Sequence, residues 1–183
     1  MKATATKLKD CFIIESAVFK DKRGFFFESF NRQKFEDAIG QSGAFVQDNI
    51  SVSGYGVIRG LHFQMGEHAQ AKLVQVLQGA VLDVAVDLRE KSETFGQYFA
   101  IELSADNNLQ LYIPRGFAHG FSVLSETAMF SYKCDNFYNK ASESGIRYDD
   151  PKFNIDWKIP MKSAEISEKD VLLGDFQSAY IFK

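Results

Sequence analysis

Residues 81–88 alternate between two kinds of side chain. Leu82, Val84, Val86 and Leu88 fall on one face, and Val81, Asp83, Ala85 and Asp87 on the other. A period of two is that of a β-strand. A second apolar run, residues 73–77, enters the turn pair Gln78-Gly79 just before it, so the two read as strands flanking a turn. Runs rich in Val, Ile, Phe and Tyr at residues 12–18, 25–30, 56–64, 99–103, 109–113, 118–124 and 128–137 predict further strands, with glycines marking turns between them. Ile113, Pro114, Arg115 and Gly116 suit a type I turn, with proline second and glycine fourth. Helices are few. Asn31 can cap a short one in which Phe35, Ala38 and Ile39 share a face and which Gly40 ends. Another short turn starts at Ser167. The strand–helix alternation of a doubly wound sheet is missing, as are a P-loop and a GxGxxG. The pattern is all-β, a sandwich or barrel of many short strands.

Composition narrows this picture without changing it. The chain has 183 residues, 45% hydrophobic and 25% charged, which suits one globular domain over 1–183 and excludes a disordered chain, a collagen or a coiled coil. Its 18 Phe and 7 Tyr suit broad apolar sheet faces. A net charge of −3 leaves no basic excess for nucleic-acid binding. Residues 1–10 carry no apolar run, and no stretch approaches the ~18 apolar residues of a membrane-spanning helix. Cys11 and Cys134 form no CxxC and no disulfide framework. A cytoplasmic protein with no membrane partner is expected.

Candidate chemistry centres on three histidines, His62, His68 and His119. His62 and His119 each follow an Arg-Gly pair, at 59–60 and 115–116, within an aromatic run. Two arrangements fit: two strands meeting at one cavity, or half-buried histidines bonded to backbone. A metal site is not expected. His62 is followed by Phe63 and Gln64 rather than a second histidine, and His68 sits in a polar loop. A nucleophile elbow is absent, and neither cysteine has a setting that would activate it. The Asp83 and Asp87 face, taken alone, reads as solvated rather than as a cavity wall. Ser167 with Asp170 three residues on is a helix-start signature, which makes Asp170 a cap residue on local grounds. Arg23, Arg59 and Arg115 beside aromatics suit a diphosphate and a base, although surface ion pairs over core phenylalanines are the commoner outcome.

Longer strings say more. DKRGFFFESF at 21–30, FVQDN at 45–49, IRGLHFQ at 58–64, AKLV at 71–74, DVAVDLR at 83–89, IPRGFAHGF at 113–121 and SEKD at 167–170 stand in the order found in one enzyme family. Over about residues 12–170 the chain resembles the dTDP-4-dehydrorhamnose 3,5-epimerases. The resemblance implies a jelly-roll (cupin-like) fold, a homodimer, and no metal or other cofactor. It implies a dTDP-linked 4-keto-6-deoxyhexose as substrate, inverted at C3 and C5 in dTDP-L-rhamnose biosynthesis. It also carries over roles: His62 as base, Asp170 as its partner, Lys72 as the cation at the ketone oxygen, and Tyr132 as the acid across the ring. This overturns the cap reading of Asp170. Substrate contacts carry over to Arg23, Phe26, Glu28, Gln47, Asn49, Arg59, His119, Tyr138, Glu143 and Lys169. Arg23 and Arg59 would face the diphosphate, and Glu28, Gln47 and Asn49 the deoxythymidine. Arg23 and Phe26 would reach the partner's site on an exchanged N-terminal strand. His119 would pair with Asp83. Some relatives epimerise C3 alone; Tyr132 argues for the double reaction. A metal-dependent oxygenase and a non-catalytic sugar-binding jelly roll are the rival classes.

Overall fold

The computed structural model describes residues 1–42 and 44–183. Its strands form two six-stranded layers. The first has the order β1 (Lys2–Ala5), β2 (Phe12–Glu15), β10 (Gln110–Ile113), β7 (Lys72–Gln78), β12 (Thr127–Cys134) and β5 (Gln47–Gly54). The second runs β13 (Glu143–Gly145), β6 (Val57–Gln64), β11 (Phe117–Val123), β8 (Ala80–Asp87) and β9 (Tyr98–Ser104), with β14 (Glu165–Ile166) parallel to β6. Sequence neighbours β7 and β8 part into different layers, and each layer gathers strands distant in sequence. Such crossing connections between antiparallel layers make a jelly roll of the cupin type. Among the described residues, β3 (Val18–Asp21) and β4 (Gly24–Phe27) pair only with each other, in a separate hairpin.

The core lies between the layers, where Val74, Leu111, Ile113 and Phe130 meet Val81, Ala85, Phe117 and Phe121. Burying such a side chain stabilises by roughly 1.5–3 kcal/mol each. Helix α1 (Arg32–Ile39) covers the outer face of the first layer with Phe35 and Ile39, against Ile14, Leu73 and Tyr112. Its ends are those predicted: Asn31 accepts from the Lys34 N–H at 3.1 Å, and Gly40 closes it with a left-handed φ of 69°. Residues 146–182 cover the second layer, placing Ile146, Phe153, Trp157 and Ile159 on Leu82, Val84 and Val86.

That double cover corrects the reading of β8. Its two faces alternate as predicted, but the Asp83 and Asp87 face is not solvated; both carboxylates are fully buried. Asp87 is satisfied by Arg89, Ser92 and Thr94. Other strands differ in extent. The run at 12–18 divides into β2 and β3, and β12 stops at Cys134. β1, β5, β13 and β14 were not predicted. Cys11 and Cys134 are free and buried. No helix among the described residues is long and apolar enough to cross a membrane.

Candidate active site

β6 and β11 are antiparallel neighbours, and their register sets His62 opposite His119. Both line one cavity, so the arrangement of two strands meeting there is the one that holds. Neither ring is bonded to backbone among the described residues. His62 Nε2 lies 2.7 Å from Asp170 Oδ1, and His119 Nε2 lies 2.8 Å from Asp83 Oδ1. The Asp83 pairing expected from neighbouring strands is therefore present.

Asp170 stands in the short helix α2 (Glu168–Val171), which Ser167 caps by accepting the Asp170 N–H at 3.1 Å. Its backbone serves the cap and its side chain does not. The buried carboxylate also accepts the Gly60 N–H at 3.2 Å. Gly60 can present that N–H because it has φ of +117° and packs on Gly120, where a Cβ would come within 2.6 Å of backbone. Burial opposes ionisation of Asp170, but the bonds from His62 and Gly60 outweigh it and hold the carboxyl below its usual range. Burial likewise disfavours the His119 imidazolium; Asp83 opposes this only in part, and the pKa stays depressed.

The other layer forms the facing wall. Lys72 opens β7, and Tyr132 lies on β12 beside it, with the ammonium 5.9 Å from the phenol ring centroid. Lys72 has no hydrogen-bond or ion-pair partner among the described residues, and burial lowers its pKa. Burial raises that of Tyr132, which keeps the phenol protonated at neutral pH. Between the walls lies a cavity of 280 Å³ lined by Asn49, Arg59, His62, Lys72, His119 and Tyr132. An adjoining space adds Gln47, Tyr138 and Glu143. An outer groove of 690 Å³ carries Arg59, His62, Glu143, Lys169 and Asp170.

Polar side chains bind one another around these spaces. Glu143 accepts from Tyr138 at 2.9 Å and pairs with Lys169 at 2.5 Å. Burial opposes ionisation of Glu143, but those two partners bring its pKa below the usual range. Gln47 donates to Asn49 at 3.0 Å, and Arg59 to Ser53 at 3.1 Å.

Arg23, Phe26 and Glu28 are not brought to this cavity within one chain. Arg23 is paired with Asp21 on the hairpin, Phe26 is 68% exposed, and Glu28 binds Lys34 and Asn31. Arg115 is engaged by Asp135, away from the cavity. His68 lies beside Asn139. No cluster of three or more potential ligands for a metal ion occurs among the described residues. Sequence reasoning missed Ser51, Gln64 and Cys134 as lining residues. Gln64 shares the face of His62 by the period of two, and that signal was there to be read.

A His–Asp pair on one side of the pocket, facing a lysine and a tyrosine on the other, is the arrangement of an acid–base enzyme: it can take a proton from one face of a bound molecule and supply one to the other. Residues 5–178 match the sequence family described as dTDP-4-dehydrorhamnose 3,5-epimerase. The chain is 51% identical to the dTDP-4-dehydrorhamnose 3,5-epimerase of Shigella flexneri over 182 residues, 100% of this chain and 99% of that one. The crystal structure of dTDP-4-dehydrorhamnose 3,5-epimerase from Elizabethkingia anophelis matches with a TM-score of 0.93 and 62% identity, covering 97% of each chain. That of the dTDP-6-deoxy-D-glucose-3,5-epimerase of Legionella pneumophila, in complex with dTDP-4-keto-L-rhamnose, matches with a TM-score of 0.93 and 45% identity, covering 98% of this chain and 94% of that one. The chain belongs to the dTDP-4-dehydrorhamnose 3,5-epimerase family.

Proposed function

We propose that the chain converts dTDP-4-dehydro-6-deoxy-D-glucose to dTDP-4-dehydro-L-rhamnose, with His62, Asp170, Lys72 and Tyr132 as its chemical groups, in dTDP-L-rhamnose biosynthesis. The observation that carries this is the split of the machinery: His62 with Asp170 on one layer, Lys72 with Tyr132 on the other. Epimerisation takes a proton from one face of a carbon and returns one to the opposite face, so its base and acid belong on opposite walls.

C3 and C5 both flank the C4 ketone, which acidifies their protons. With Nε2–H donating to Asp170, the lone pair of His62 is on Nδ1, which has no protein partner among the described residues. Nδ1 takes the proton, the C–H pair becomes the C=C bond of the enolate as the carbonyl π pair moves onto the ketone oxygen, and Asp170 stabilises the imidazolium. The enolate oxygen faces Lys72. An ammonium with no carboxylate of its own gains a counter-charge only as the enolate forms, so it favours the transition state over the bound substrate. The Tyr132 hydroxyl then donates its proton to carbon from the other side as the ketone re-forms; before the next round the tyrosinate takes a proton from solvent and the His62 imidazolium gives one up to it. Two such rounds invert C3 and C5. The names of the relatives favour this double reaction over epimerisation at C3 alone.

The 280 Å³ cavity suits a hexose rather than a whole nucleotide sugar. Arg59 and Lys169 in the outer groove suit the diphosphate, and Gln47, Asn49, Tyr138 and Glu143 the adjoining subsite. Arg23, Phe26 and Glu28 act across a homodimer, on an arm exchanged with the partner. Three features among the described residues support this: the hairpin pairs with no other strand, its Phe19, Phe25 and Phe26 are exposed, and β5 leaves one edge unpaired beside exposed Ile50 and Val52. The free, buried cysteines suit the reducing cytoplasm.

Proton NMR of the substrate with the protein in deuterated water, without added metal, tests the reading. Deuterium at C3 and C5 with inverted couplings is expected, from a sample that scatters light as a dimer. Exchange at C3 alone would make this a mono-epimerase, and exchange at neither carbon would remove the assignment.

A further inference from the structure

Arg115-Gly116 repeats the pair Arg59-Gly60, yet Arg115 has no place in the chemistry above. Its guanidinium donates from Nε to Asp135 Oδ2 at 2.7 Å and from Nη2 to the Asp135 carbonyl at 3.4 Å. The other oxygen of that carboxylate, Oδ1, accepts the Ala71 N–H at 2.7 Å. The Asp135 N–H donates back to the Ala71 carbonyl at 3.1 Å. Ala71 immediately precedes Lys72.

The topology shows what this link spans. β7 lies between β10 and β12. Lys72, its first residue, pairs with Ile113, the last residue of β10, and with Cys134, the last of β12. All three strands run out in that row. Asp135 directly follows β12 and Arg115 follows β10 by two residues, so their ion pair closes across the end of β7 where the ladder stops. Gln70 adds a bond from Nε2 to the Asn136 carbonyl at 2.8 Å. The Lys72 ammonium itself has no bonded partner among the described residues, only the Tyr132 ring face. A cation with no partner is placed by its backbone.

We propose that Arg115 and Asp135 are a positioning pair for Lys72, holding its backbone so that the ammonium meets the developing enolate oxygen. This rests on the role given to Lys72 above. Neither residue lines the cavity as a substrate contact. The Arg115 side chain is half exposed and that of Asp135 mostly covered, and the ion pair itself adds little to stability, so a loss of rate out of proportion to any loss in melting temperature is the expected mark of the role.

The test is Asp135→Ala, with turnover and solvent exchange at C3 and C5 as readouts. kcat is expected to fall about 10- to 100-fold, the scale of a misplacement of about 1 Å, while KM stays within about twofold because substrate contacts are intact. Arg115→Ala is expected to lose less, and Asp135→Asn, which keeps an acceptor for the Ala71 N–H, to recover most of the rate. The decisive readout is the double variant. In a Lys72→Ala background, Asp135→Ala leaves the residual exchange rate unchanged, because the group it places is gone. A wild-type kcat for Asp135→Ala, or a loss of the same size without Lys72, would overturn the proposal. If Asp135→Ala does not fold, Arg115→Ala carries the same comparison with and without Lys72. Full turnover by Lys72→Ala would instead overturn the role of Lys72 itself. A dead Lys72→Ala beside a fully active Asp135→Ala would overturn only the positioning.

Discussion

Two His–Asp pairs stand side by side on β6 and β11, with nearly equal contacts of 2.7 and 2.8 Å. Their surroundings differ. The His62 side chain is 30% exposed and that of His119 8%. Asp170 has both oxygens engaged, by His62 and by the Gly60 N–H, whereas Asp83 Oδ2 has no partner among the described residues. The first pair suits the base proposed above, because it is open to the cavity and its carboxylate is fully satisfied. Burial disfavours a charge on His119 of the second pair; with Nε2–H donating to Asp83, its Nδ1 suits a fixed acceptor from a sugar hydroxyl. Hydrogen-bond geometry alone does not make a base; access to the cavity and a fully satisfied carboxylate do.

The largest expected effect breaks the comparison outright. His62→Ala should lose turnover and solvent exchange by roughly 10³-fold or more, within the range of a general base and its orientation. His119→Gln, which keeps a donor toward Asp83, should lose only about tenfold, mostly in KM. Melting temperatures of both should stay close to that of the parent. Equal losses in the two variants, read by deuterium incorporation, would erase the distinction between the pairs.

Replacing the carboxylates sharpens it at a lower level. Asp170→Asn should cost about 10²-fold in kcat, because the amide cannot stabilise the imidazolium and can turn its donor toward the ring. Asp83→Asn should cost no more than a few-fold, since its Oδ1 still accepts from His119 and no charge is formed there during turnover. Steady-state kinetics on both variants checks the order, and the reverse order would assign the base to His119.

The same contrast explains what the sequence could and could not show. The alternation of β8 was legible, but the fate of its carboxylates was not. Burial of Asp83 depends on the layer opposite and that of Asp87 on a loop network around Arg89, and neither leaves a periodic mark on β8. β5 escaped notice because its pattern is inverted. Gln47, Asn49, Ser51 and Ser53 turn inward to a wet cavity, while Ile50 and Val52 are exposed. A strand that lines an active site therefore looks unlike one that lines a core. The helix-start signature at Asp170 was legible, since Ser167 does cap by taking its N–H, but Asp170 itself does not cap with its carboxylate. Its side chain acts on β6, 108 residues earlier, which local spacing cannot encode and only the resemblance supplied. Arg23, Phe26 and Glu28 belong to a recognisable string, yet a single chain does not bring them to the cavity, which is why the reading proposed above gives them a place only in a second copy.

The smallest effect concerns acid. An ordinary imidazole titrates at about 6.5, and burial holds His119 below that in the folded protein. As pH falls through 6.5 the unfolded chain therefore takes up this proton first. The stability that neutral His119 contributes is full above the unfolded value and is withdrawn as pH drops from there toward the folded one, by at most about 1.4 kcal/mol per pH unit. His119→Gln removes the titration while keeping the bond to Asp83. Its melting temperature should thus fall less steeply than that of the parent between about pH 6.5 and 5, where an imidazole would be gaining its proton. Differential scanning calorimetry across that interval measures the two slopes. Parallel slopes would mean that His119 gains its proton as readily in the fold as in the open chain. The buried pair could then carry charge like its neighbour, and the contrast between the two would rest on cavity access alone.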